Sequence, residues 1–176
     1  VSEVNQTPSS ALGAKQKYLK KIRLYSKKDI EEAYSNALDI DDVVPLQTVH
    51  FKYNYELCPG VLNNTGSAPT DYPEHFTSAT NTGGKLTLKE VYITYNGNEK
   101  GRLSPYQFNY TSNQNYSRFN MDRWGNYQEA ASLNEHEINP YTRQNLTETE
   151  RIENASAWCL SEIDLPSGGT LSVKYE

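Results

Sequence analysis

The sequence predicts a mainly β fold: antiparallel meander and hairpin sheet, with two short helices and long polar loops. Three observations point there. TVHFKYNYELC alternates apolar and polar residues, with Val49, Phe51, Tyr53, Tyr55 and Leu57 on one side and His50, Lys52, Asn54 and Glu56 on the other. That period of two belongs to a strand with one wet face. The pairs KLTLKEVYITY/PYQFNY and SEIDL/TLSVKY repeat the alternation, the first around Asn96-Gly97 and the second around Ser167-Gly168-Gly169, both hairpin signals. Tyr numbers 14 and aromatics reach 11% in a chain of net charge −5 and mean hydropathy −0.80. So many aromatics argue for an ordered domain with a thin, Tyr-rich core.

Taken in order, residues 1–16 read as a polar N-terminal extension, loose unless they join a sheet. Residues 17–176 read as a single β-rich domain, or as a segment of a larger β structure. YLKKIRLYS is a strand with Tyr18, Ile22 and Leu24 in phase. A helical insert occupies about 28–45. Its helix runs from Asp29, a cap paired with Glu32, to Leu38, with Ile30, Ala33, Tyr34, Ala37 and Leu38 as the apolar stripe. After TVHFKYNYELC, residues 59–84 read as one long polar loop. In KLTLKEVYITY the apolar phase changes between Leu88 and Val91, which predicts a β-bulge or bend near Lys89-Glu90. Thr147 with Glu150 forms a capping box opening a second helix that reaches about Trp158.

Composition excludes some function classes. A pI near 5.3 argues against nucleic acid, whose phosphates call for surplus Lys and Arg. No apolar run approaches the roughly 20 residues of a transmembrane helix, and VSEVNQTPSS has neither the basic nor the apolar part of a signal peptide. The last strand runs up to Glu176, which suggests a piece of a longer polypeptide.

Candidate chemistry is sparse. His50, His75 and His136 show no metal-ligand spacing; His50 reads as a surface residue, and the neighbours in Glu135-His136-Glu137 point to opposite sides of an extended chain. Asp39, Asp41 and Asp42 lack a calcium-loop pattern and read as an acidic helix exit. No serine, phosphate-loop or paired-carboxylate signature stands out, so the chain reads as a non-enzyme without a cofactor or metal. Cys58 and Cys159 are compatible with one disulfide in an oxidising compartment or with two buried thiols. Asn-x-Ser/Thr occurs at Asn5, Asn63, Asn109, Asn115, Asn145 and Asn154, which reads as chance in so Asn-rich a chain. DRWGNY is the densest motif. Asp122, Arg123, Trp124 and Tyr127 form either a ring-stacking platform for a sugar or, the favoured reading, a plug in which the rings cover the sheet and the charges make polar ties.

The ordered set TVHFKYNYELCPG, GKLTLKEVYITYNGN, RLSPYQFNY, DRWGNY and AWCLSEIDLPSGGTLSVKYE resembles a segment of very large secreted proteins of Bacteroidota-type bacteria related to RHS/YD-repeat proteins. The resemblance covers residues 17–176 apart from the helical insert, and its marks are D-x-W-G-x-Y and L-P-x-G-G followed by Y-E. True YD repeats are absent, so the likeness is to a neighbouring region of such proteins. It implies β-rich architecture, extracellular or cell-surface placement and a scaffold role. The implied partner is the remainder of the same polypeptide or other chains of a surface assembly. The alternative is a carbohydrate- or protein-binding β module using the Tyr/Asn-rich loops and DRWGNY. A scaffold segment should expose an open strand edge near Leu171–Tyr175 and a large apolar patch; a binding module should show an aromatic platform.

Overall fold

A computed structural model describes residues 2–3, 17–64, 66, 73–111, 113–129 and 145–175. The fold is mainly antiparallel β. Ser2–Glu3 (β1) pairs with Lys17–Tyr18 (β2), so part of the N-terminal extension does join a sheet. The expected strand at 18–26 is split at Leu19-Lys20, and its second half is β3, Lys21–Leu24.

The first helix, α1, spans Lys27–Ser35, two residues earlier than the capping argument placed it. Ser26 is the N-cap, and Asp29 lies in the first turn, where its carboxylate complements the helix dipole. Lys27–Glu31 at 3.5 Å and Lys28–Glu32 at 3.6 Å extend the helix N-terminally. Ala37, at φ 53°, ends it before Leu38.

Among the described residues the main sheet has seven strands. Its central strand β4, Gln47–Leu57, is flanked along its whole length by β6, Lys85–Tyr95. On β4's other edge, β3 pairs with Gln47–His50, and β5, Phe76–Asn81, pairs in parallel with Tyr53–Tyr55. Strand β5 and the 3-10 turn Pro73–His75 lie inside the expected loop. FTSATN shows no apolar alternation; Thr and Ser hydroxyls hold it, as when Thr77 Oγ1 donates to Tyr53 O at 3.4 Å. Strand β7, Tyr106–Tyr110, follows β6 after the Asn96-Gly97 turn and Glu99–Leu103, a short 3-10 segment. Helix α2, Glu148–Ser156, opens on the expected capping box and leads into β8, Leu160–Asp164, and the hairpin partner β9, Thr170–Ser172.

The predicted bulge is present. Lys52 pairs with Glu90 and Tyr53 with Leu88, which leaves Lys89 unopposed. The extra residue lets Leu86, Leu88, Val91 and Ile93 share a face despite their change of parity.

Register defines two faces. Ile22, Val49 and Ile93 align across β3, β4 and β6, as do Leu24, Gln47 and Tyr95; Phe51, Val91 and Tyr106 continue the face, and Phe108, Ile163 and Leu171 carry it to β9. At the Tyr55 end this apolar face packs a small aromatic core. Tyr18 meets Tyr53 edge-on at 5.3 Å, and Phe76 stacks on Tyr55 at 5.4 Å. Toward β3 and β9 the face is open: Ile22 is 52% exposed, Leu24 56% and Leu171 54%.

The opposite face carries Thr48, His50, Tyr92 and Thr94, all buried. His50 is only 6% exposed, which corrects its reading as a surface residue. Period-two alternation separates the faces of a strand but does not say which one is covered.

Candidate functional site

DRWGNY folds as a tight turn closed by a bridge between Met121 and Tyr127. The Asp122 carboxylate is buried and organises it: Oδ1 accepts the backbone N–H of Trp124 and of Asn126, each at 2.9 Å, and Oδ2 accepts Asn126 Nδ2 at 3.2 Å. Gly125 takes φ 86° and donates its N–H to Asp122 O at 3.1 Å. Such side-chain-to-backbone wiring suits an Asp in a short turn. The four motif residues part company here. Asp122 and Tyr127 turn inward, Arg123 is exposed, and Trp124 at the tip is 65% exposed and does not cover the sheet. Asp122 is thus the polar tie that the plug reading expects, while the Trp124 ring is not its cover.

The other tryptophan, Trp158, lies beside the turn and contacts Tyr127. Trp158 follows the C-cap of α2 and has φ 59°, a left-handed conformation that is uncommon for a bulky side chain. Three contacts hold it. Its Nε1 donates to Gln114 O at 2.8 Å, Tyr127 meets its ring edge-on at 5.1 Å, and Lys85 Nζ lies 4.8 Å from its ring centre. Sequence reasoning placed Trp158 merely at the end of a helix. The available signal was the absence of Gly or Asn after α2, where a left-handed residue is common.

Around Trp158 and Tyr127 lies a cleft of about 1070 Å³, lined by the 121–128 turn, α2, Lys85 at the start of β6, and Lys174 and Tyr175. Its described lining includes Tyr116, Tyr127, Trp158 and Tyr175 with Asn126, Gln128 and Asn154. Lys85, Arg151 and Lys174 supply positive charge; Glu148 and Asp122 supply carboxylates, the second already bound into the turn.

Both cysteines carry free thiols in this structure, so the disulfide alternative is not the state described. Cys58 is fully buried at the end of β4, with φ 55° and its N–H donated to Asn113 Oδ1 at 2.7 Å. Burial pushes its thiol pKa up, away from the reactive thiolate. Cys159 lines the cleft.

The remaining candidates have structural roles or lie outside the described residues. Asp39 Oδ1 accepts the Asp41 N–H at 3.0 Å, and Asp41 pairs with Arg23. His75 is buried beside β4, where burial lowers its pKa. Asn109 Nδ2 donates to Asp164 Oδ2 at 3.0 Å within the sheet. Asn5 and the Glu135-His136-Glu137 triplet fall outside the described residues. No family model, curated protein or solved structure matches this chain.

Proposed function

We propose that this chain is a non-enzymatic structural segment of a larger secreted or cell-surface β assembly, of the kind found beside RHS/YD-repeat regions. One observation carries the reading: the apolar face of the main sheet is exposed at both its ends, at Ile22 and Leu24 on β3 and at Leu171 on β9, while Thr48, His50, Tyr92 and Thr94 on the opposite face are buried. Large exposed apolar patches on soluble proteins usually mark interaction surfaces. β9 adds a short edge whose Leu171 lies on the same face. A second β layer would cover this face by ordinary sheet packing about 10 Å away. That layer comes from the remainder of the polypeptide or from other chains of the assembly. The compartment follows from the resemblance in motif order.

The test is the intact mass and assembly state of material from the natural source, taken without reducing agent. A mass well above 20.0 kDa, or this chain held tightly in an assembly, is expected. A stable monomer of 20.0 kDa that does not bind a hydrophobic dye would overturn the reading.

A further inference from the structure

We propose that the cleft around Trp158 is a binding site for an acidic oligosaccharide, with Trp158 and Tyr127 as the stacking wall and Lys85, Arg151 and Lys174 as the carboxylate-recognising groups. The chemistry follows from the lining. A pyranose ring has apolar C–H faces and a polar hydroxyl rim. It therefore needs an aromatic wall with amide groups beside it, and Asn126, Gln128 and Asn154 line the same cleft as the rings.

Charge narrows the class. The chain carries −5 overall, yet among the described residues three cations line this cleft against Glu148 and an Asp122 that accepts hydrogen bonds from Trp124 and Asn126 within the turn. A neutral glycan has no use for that local excess. A sugar with one carboxylate per ring needs only a few cations, and the paired aromatic and amide groups of the lining suit its ring faces and hydroxyl rim. The volume, about 1070 Å³, lies at the upper end of the roughly 300–1,000 Å³ of small-molecule sites, which suits more than one sugar ring.

Backbone strain points to the same place. Trp158 holds φ 59° where Gly would be relaxed, and strained residues of this kind cluster at ligand sites. The site also stands apart from the β3 end of the open sheet face. Lys85 pairs with Leu57 at one end of β4, and Leu24 pairs with Gln47 at the other, about 30 Å away along a strand of 11 residues.

The test uses the intact chain with Trp124→Phe, which leaves Trp158 as the single tryptophan reporter of the two present. Titration with a tetra-galacturonate should give a saturable change in fluorescence, matched by calorimetric heat. Its fully methyl-esterified counterpart, the same sugar without charge, should bind about tenfold more weakly. Lys85→Gln should also lose about tenfold, and Trp158→Gly, which removes the ring and relieves the backbone, should abolish the response by calorimetry. If Trp158→Gly does not fold, Lys85→Gln alone decides. Ile22→Ser at the far end should bind like the parent. The absence of saturable binding to the galacturonate, equal binding of the ester, or tighter binding of a single-stranded oligonucleotide would each overturn the proposal.

Discussion

The His50 imidazole lies flat on the Tyr92 ring, with centroids 4.4 Å apart and planes within 4°, while His50 Nε2 and Thr94 Oγ1 share a hydrogen bond of 2.8 Å. The two rings belong to directly opposed residues of β4 and β6. Burial lowers the His50 pKa to about 4; nearby Lys21 acts in the same direction, and Glu99 opposes it. His50 is therefore neutral in the folded sheet at neutral pH.

This dictates an acid response. Above the unfolded pKa of about 6.5, both states are neutral and His50 adds no pH dependence. As pH falls from about 6.5 toward about 4, the unfolded chain binds a proton that the folded chain refuses, so stability declines across that window. The depressed pKa of His75 adds in the same direction. Urea titrations between pH 7 and pH 4 should give falling midpoints, with His50→Gln reducing the slope by up to about one proton per molecule. An unchanged slope in His50→Gln would remove His50 as the source.

The open apolar face should be nearly silent in folding and decisive in association. Ile22→Ser and Leu171→Ser replace half-exposed side chains and should change unfolding free energy by no more than about 1 kcal/mol. The same variants should reduce hydrophobic dye binding and self-association in sedimentation velocity. A large loss of stability would instead mean that the face is already covered.

Thr147→Ala removes the capping box of α2, in which the Glu150 N–H donates to Thr147 Oγ1 at 3.3 Å and the Thr147 N–H donates to Glu150 Oε2 at 2.8 Å. The expected loss is about 1 kcal/mol by chemical denaturation. Thr147→Ser should retain most of it.

Gly101 is where the 3-10 segment after β6 crosses that strand: a Cβ there would fall on the carbonyl of Ile93. Gly101→Ala forces the segment off β6 and should cost about 1–3 kcal/mol. Gly125→Ala makes a useful contrast. A Cβ there meets open space, so any penalty arises from φ 86° alone, and about 1 kcal/mol is expected.

Trp158→Gly and Trp158→Ala both lose the ring, but only the first relaxes the left-handed backbone. The glycine variant should be more stable than the alanine variant by about 1 kcal/mol in parallel denaturant titrations. Equal stabilities would show that the backbone at this position carries no strain.

Much of the architecture is written locally, and for that reason it was legible in the sequence. Alternation placed β4, β6, β7 and β8; Asn96-Gly97 and the Gly168 turn placed the hairpins; Thr147 and Glu150 placed the start of α2; and a phase change of one residue located the bulge at Lys89. Each of these depends on neighbours within a few residues. α1 starts at Lys27, with Ser26 as its N-cap and Asp29 in its first turn, where an acidic residue favours the helix as well as it would at the cap, so Asp29 alone did not fix the boundary. Strand β5 was invisible because its place depends on pairing with Tyr53 and Tyr55, more than 20 residues away, and not on its own pattern. Tertiary structure alone decided which face of the sheet is covered, since alternation is symmetric between the faces and burial depends on what packs above each. It also decided which tryptophan lines the cleft. Trp124 lies on the tip of its own turn and is not among the residues lining the cleft, whereas Trp158 lines it and contacts Gln114, Lys85 and Tyr127 from distant parts of the chain.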